Sequence, residues 1–60
     1  METGNAVRVI ALYNEDWHHS ERGQTLGNIG TIDSIVDGEY YVVFDDIGGF
    51  TFAGGELELA

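Results

Sequence analysis

Apolar residues alternate with polar ones in a handful of short stretches along this 60-residue chain, and nowhere repeat at helical spacing beyond a turn. In AVRVIALY (6–13), Val7, Val9, Ala11 and Tyr13 fall on one face and Arg8, Ile10 and Leu12 on the other. Both sets are largely apolar, which predicts a strand buried on one side and partly covered on the other. NEDWHHSERGQTLGN (14–28) has no sustained period and reads as a long loop, a kind of segment that often carries function. IGTIDSIV (29–36) is a second strand. Its apolar phase slips between Ile32 and Ile35, and glycines stand at 27 and 30, so a bulge or sharp bend is expected. Asp37-Gly38 between two β runs predicts a tight hairpin. EYYVVFD (39–45) is the third strand, with Tyr40, Val42 and Phe44 on one face and Tyr41 and Val43 on the other. After the turn DIGG come a short strand FTF (50–52) and a turn AGG, with at most one helical turn at 53–55. ELEL (56–59) closes the chain, Leu57 and Leu59 inward and Glu56 and Glu58 outward. The polar residues 1–5 are expected to be disordered, leaving 6–60 as one domain with Val7, Val9, Ile32, Val42, Phe44 and Leu57 in its core.

Short strands, one long early loop, a central hairpin and glycines at the corners predict a small closed barrel, since closure removes exposed edges. An OB-like barrel is the alternative, but it wants a longer chain. The segment GNIGTIDSI is similar to the KOW pattern, in which glycines precede a Thr or Val and an apolar strand. VRVIALY, Trp17, GTI, YYVVFDD and FTFAGGELEL together resemble the electron-transport accessory barrels typified by photosystem I subunit IV. That resemblance covers nearly the whole chain. It implies an all-β protein, a single SH3-like five-stranded barrel with a long first loop. Its motifs determine fold and weigh little on function. ALYNEDW also resembles the Ala-Leu-Tyr-Asp-Tyr opening of peptide-binding SH3 domains and supplies Tyr13. The tryptophan that opens a middle strand in those domains and their Pro-x-x-Tyr segment have no counterpart here, so the aromatic platform for proline-rich ligands is incomplete.

Composition narrows the picture. A 60-residue chain buries only about 60% of the surface its unfolded form exposes, so stability is small. There is no cysteine to add a disulfide or a thiolate–zinc staple. No apolar run approaches the roughly 18 residues of a membrane span, and no basic-then-apolar leader is visible. A soluble, cytoplasmic protein is the expectation. Charge changes the picture most: eleven acids face two arginines and no lysine, for a net charge of −9. Phosphate backbones are repelled by such a chain, whereas a basic protein surface is attracted and its encounter accelerated.

Candidate chemistry is thin. Glu15, Asp16, His18, His19 and Glu21 could in principle hold a metal. Adjacent histidines on an extended backbone point apart, however, so a solvated acidic loop is expected and no metal or other cofactor. Asp45 and Asp46 are sequence neighbours with no nucleophile motif beside them, and no enzyme is expected. Glycines 48, 49, 54 and 55 lack the lysine and helix start of a phosphate cradle and read as turns. The aromatics remain. Tyr13, Trp17, Tyr41 and Phe50 exceed what one small barrel interior needs, and Trp17 sits among carboxylates like an interface anchor or a lid. The expected function is a small acidic protein-binding module, monomeric by default, that docks on and regulates a larger partner with a basic surface. The alternative is an accessory or phage-type inhibitor that mimics nucleic-acid charge to block a nucleic-acid-binding protein. Tyr13, Trp17, Asp33, Asp37, Glu39, Tyr41, Asp45 and Asp46 are the expected partner-binding residues, without direct nucleic-acid or membrane contact.

Overall fold

Five antiparallel strands form one sheet in the spatial order β4-β3-β2-β1-β5. The structure, a computed structural model, describes residues 1–13 and 22–60. The strands are β1 (Ala6–Val9), β2 (Ile29–Val36), β3 (Glu39–Phe44), β4 (Gly48–Ala53) and β5 (Leu57–Leu59). Two 3-10 turns, Arg22–Thr25 and Gly54–Glu56, interrupt the connections. The all-β expectation holds, and no α-helix occurs among the described residues.

The β2–β3 hairpin follows its turn chemistry. Asp37 and Gly38 both take positive φ, 53° and 78°, the geometry whose twist matches two paired strands. Register from the turn runs Val36 to Glu39, Ile35 to Tyr40 and Ser34 to Tyr41, then slips between Ile32 and Ser34. Asp33 is the inserted residue, so the phase slip read between Ile32 and Ile35 is a bulge.

The core is one cluster: Val7, Val9, Ile32, Val42, Phe44, Phe52 and Leu57, with Leu12, Tyr40, Ile47 and Phe50 packed against it. All six expected core residues are in it. Phe52 completes it, edge-on to Phe44 with ring centroids 6.0 Å apart. Gly30 marks a close approach within the sheet. A Cβ there would fall 2.7 Å from Val42 and 2.8 Å from the Val43 carbonyl.

Two expectations are corrected. The first strand ends at Val9 rather than Tyr13, because the Ile10 and Ala11 N–H groups donate to the Glu56 carbonyl instead of a neighbouring strand. The last strand begins at Leu57, and Glu56, expected outward, is buried at 2% exposure while Leu59 is exposed. Alternation misplaced Glu56 because it belongs to the 3-10 turn before the strand, where side chains do not alternate. The expected all-β sheet is present, but its ladder is not closed. Among the described residues β4 and β5 are the two ends of the ladder and are not hydrogen-bonded to each other. Phe52 on β4 and Leu57 on β5 nevertheless share the core, so the sheet bends around it without closing its ladder. Gly4 and Asn5 hydrogen-bond to β2: Gly4 N–H donates to Ile32 O at 2.8 Å and Ile32 N–H to Asn5 O at 3.0 Å.

Candidate functional site

Two features stand out, a buried ionic clamp and an exposed face. The clamp is built on Glu56. It is the third residue of its 3-10 turn, and its side chain turns back so that Oε1 accepts from the Ala53 N–H at 2.8 Å. Arg22 Nη2 donates to the same oxygen at 2.7 Å. Oε2 accepts from the Tyr13 N–H at 2.7 Å. Arg22 also donates through Nε and Nη2 to the Thr51 carbonyl at 3.1 and 3.0 Å, and its guanidinium lies 4.5 Å from the Phe52 ring centroid. Burial alone would raise the Glu56 pKa. The Ala53 and Tyr13 N–H groups and the Arg22 charge outweigh it and hold the carboxyl below its usual value.

Position explains what this clamp does. Arg22 bridges Thr51 on edge strand β4 and Glu56 immediately before edge strand β5, so a side chain spans the gap that the ladder leaves open. Tyr13 and Arg22 also bracket residues 14–21, and Glu56 holds both. Thr25 secures the second of these feet, its buried hydroxyl donating to the Arg22 carbonyl at 2.6 Å.

The exposed face is the side of β2, β3 and β4 turned away from the core. Ile29, Val36, Tyr41 and Val43 lie on it, with exposures between 39% and 64%. Gly49 on β4 leaves room for the Tyr41 ring, since a Cβ there would collide with the phenol oxygen and ring. Two grooves open at the ends of the β2–β3 hairpin. One is lined by Ser34, Val36, Asp37, Glu39, Tyr41 and Thr51. The other is lined by Asn28, Ile29, Phe44, Asp45, Asp46 and Ile47.

The expected site residues divide accordingly. Asp37, Glu39 and Tyr41 share the first groove, and Asp45 and Asp46 the second. Asp45 lies six positions beyond Glu39, about 20 Å along β3 at about 3.3 Å per residue. Asp33 sits between them at the bulge, so the five hairpin acids are spaced along its length and all are exposed. Tyr13 is about half exposed and lies apart from this face, against Gly55, whose absent side chain leaves room for its ring. Trp17, and the candidate ligands Glu15, Asp16, His18, His19 and Glu21, lie outside the described residues. Among those described, no three His, Cys, Asp or Glu side chains gather as metal ligands would. Among the described residues, no helix is long and apolar enough to cross a membrane.

Periodicity missed the clamp. A Glu three residues beyond a strand end, after two glycines, does carry the spacing of a side chain that reaches back to cap a turn. Its pairing with Arg22, 34 residues earlier, has no local signature. Comparison with protein-family models, with curated proteins and with solved structures yields no match.

Proposed function

We propose that this protein is a small binding module of the SH3-like barrel type. In this reading it docks on a basic surface of a larger protein through the outer face of β2, β3 and β4 and regulates that partner. The strand order, the long connection between β1 and β2 and the 3-10 turn before β5 support the fold part of the proposal. The observation that carries the function is an apolar strip, Ile29, Val36, Tyr41 and Val43, set among exposed carboxylates with no lysine anywhere in the chain. Apolar centres with charged rims are the anatomy of protein interfaces. A pure mimic of nucleic-acid charge has no use for the apolar strip, which favours a protein-docking face over charge mimicry.

The test is differential capture. Parent protein is compared with a Tyr41→Ser, Val43→Ser variant and with a Glu58→Gln control, at about 0.1 M and about 1 M salt, where the Debye length falls from about 10 to about 3 Å. The expected partner is basic, is held by parent and control at low salt, and is lost from the face variant and at high salt. A partner retained equally by the folded face variant overturns this surface.

A further inference from the structure

The groove at the turn end of the hairpin is lined by one aromatic ring, Tyr41, two carboxylates, Asp37 and Glu39, and the aliphatic Val36. We infer that it is a receptacle for a single arginine side chain presented by the basic partner. Because it lies on the docking face proposed above, the inference rests on that reading.

Four observations carry it. The groove has a volume of about 280 Å³, room for a side chain rather than a cofactor. Its charged lining residues, Asp37 and Glu39, are both acidic. The chain's two arginines are engaged elsewhere, Arg8 with Glu58 at 3.2 Å and Arg22 with Glu56 at 2.7 Å, and neither lines the groove. The Tyr41 ring lies over β4 in the space that a side chain at Gly49 would fill, and it lines the groove with an aromatic face.

Arginine fits this combination better than lysine. A planar guanidinium stacks on an aromatic face and pairs in two-point fashion with a carboxylate, while the more strongly hydrated ammonium does neither as well. Val36 lines the same groove and suits the aliphatic stem of such a side chain. The chain already uses the same chemistry internally. Arg22 lies over Phe52 while its Nη2 reaches a carboxylate and a carbonyl.

Backbone amide NMR of the full chain tests this at constant ionic strength with three probes: N-acetyl-arginine methylamide, its lysine counterpart and a hexaarginine peptide. Saturable shifts centred on Val36, Glu39, Tyr41 and Thr51 are expected with the arginine probe, and the lysine probe should bind about five-fold more weakly, the factor a modest cation–π contact supplies. Two variants should abolish or weaken the response: Tyr41→Leu, and the surface pair Asp37→Asn with Glu39→Gln. The second keeps the test intact if the first fails to fold. Shifts spread evenly over all exposed acids, with both single-residue probes alike, overturn the receptacle. If hexaarginine still perturbs Ile29 and Val43 while the arginine probe does not reach the groove, only the receptacle falls. If no probe perturbs the face, the docking surface falls with it.

Discussion

Glutamine at position 56 keeps the shape of the side chain but supplies one acceptor oxygen where the carboxylate supplies two. It can keep the Ala53 and Arg22 hydrogen bonds or the Tyr13 bond, not both sets, and in either case its NH2 group faces a donor. It also replaces the carboxylate that faces Arg22, whose side chain is only 17% exposed, with a neutral amide. Breaking a buried pair by removing one partner costs about 3–5 kcal/mol, and a lost charge-assisted hydrogen bond about 1.5–3. The two overlap, so roughly 3 kcal/mol is the expected loss for Glu56→Gln. At about 0.05–0.15 kcal/mol per residue, a domain of this size holds only about 3–9 kcal/mol in total. The substitution should therefore remove a third or more of its stability and lower the melting temperature by more than about 12 °C. Thermal unfolding followed by circular dichroism at neutral pH, with a urea series to check the two-state assumption, measures it. Adding Arg22→Met to Glu56→Gln should recover part of the loss, since an apolar side chain no longer sets a half-buried charge against a neutral amide. A Glu56→Gln variant within about 0.5 kcal/mol of the parent would refute the clamp, because so small a change is what a surface position gives.

The same carboxyl sets an acid limit. Its folded pKa is lowered, so its stabilisation is fully present above the unfolded value near 4.3 and is lost as pH falls through the folded one; the gap in melting temperature between parent and Glu56→Gln should shrink below about pH 4. Phe44→Ala empties a site beside Phe52 and should cost about 3–5 kcal/mol, so a variant fully folded at room temperature by circular dichroism would contradict the core. Gly30→Ala pushes a methyl against the Val43 carbonyl and should destabilise by about 1–3 kcal/mol in the same urea assay. Added sodium chloride should raise the melting temperature of the parent by screening eleven acids set against two arginines, and a flat response would mean that the carboxylates are too dispersed to repel.

What could be read along the chain was what local physics decides. The Asp37-Gly38 turn, the bulge at Asp33 and the faces of β3 all follow from side-chain period and turn geometry, and each needs only a few adjacent residues. Phe52 was left out of the expected core because FTF is too short to show which face is buried. Its place is set by β3, where Tyr40 stands opposite it. Ladder closure was equally beyond reach, since it depends on whether the two terminal strands meet. Glu56 is the sharpest failure. A charged residue beside an alternating strand reads as outward unless its partner is known, and Arg22 lies in a segment whose sequence shows no period. Of the candidate site, Tyr41 and the five hairpin acids were legible as outward residues. Their division between two grooves required the strand length and register.

The clamp and the outer face are linked through charge. Arg22 is committed to Glu56 and Arg8 to Glu58, so each of the chain's two arginines neutralises an acid of its own. Eleven acids less these two leave nine, which is the whole net charge of −9. Glu2 is one of the nine; Glu15, Asp16 and Glu21 fall in the segment that the clamp brackets; the remaining five are Asp33, Asp37, Glu39, Asp45 and Asp46. Five of these nine acids thus lie along one hairpin, beside the strip of Ile29, Val36, Tyr41 and Val43. Solubility alone would be served as well by carboxylates spread around the sheet, and it is not served by apolar residues among them. A basic partner offers this face both what it lacks and what it exposes: counter-charge for the acids at the rim and a dry contact for the strip. Such a partner should associate faster at low salt through the acids and leave more slowly through the strip. Asp45→Asn with Asp46→Asn should therefore lower mainly the association rate, and Tyr41→Ser with Val43→Ser should raise mainly the dissociation rate. Surface plasmon resonance on the captured partner separates the two, and equal effects of both pairs on dissociation would refute this division of labour.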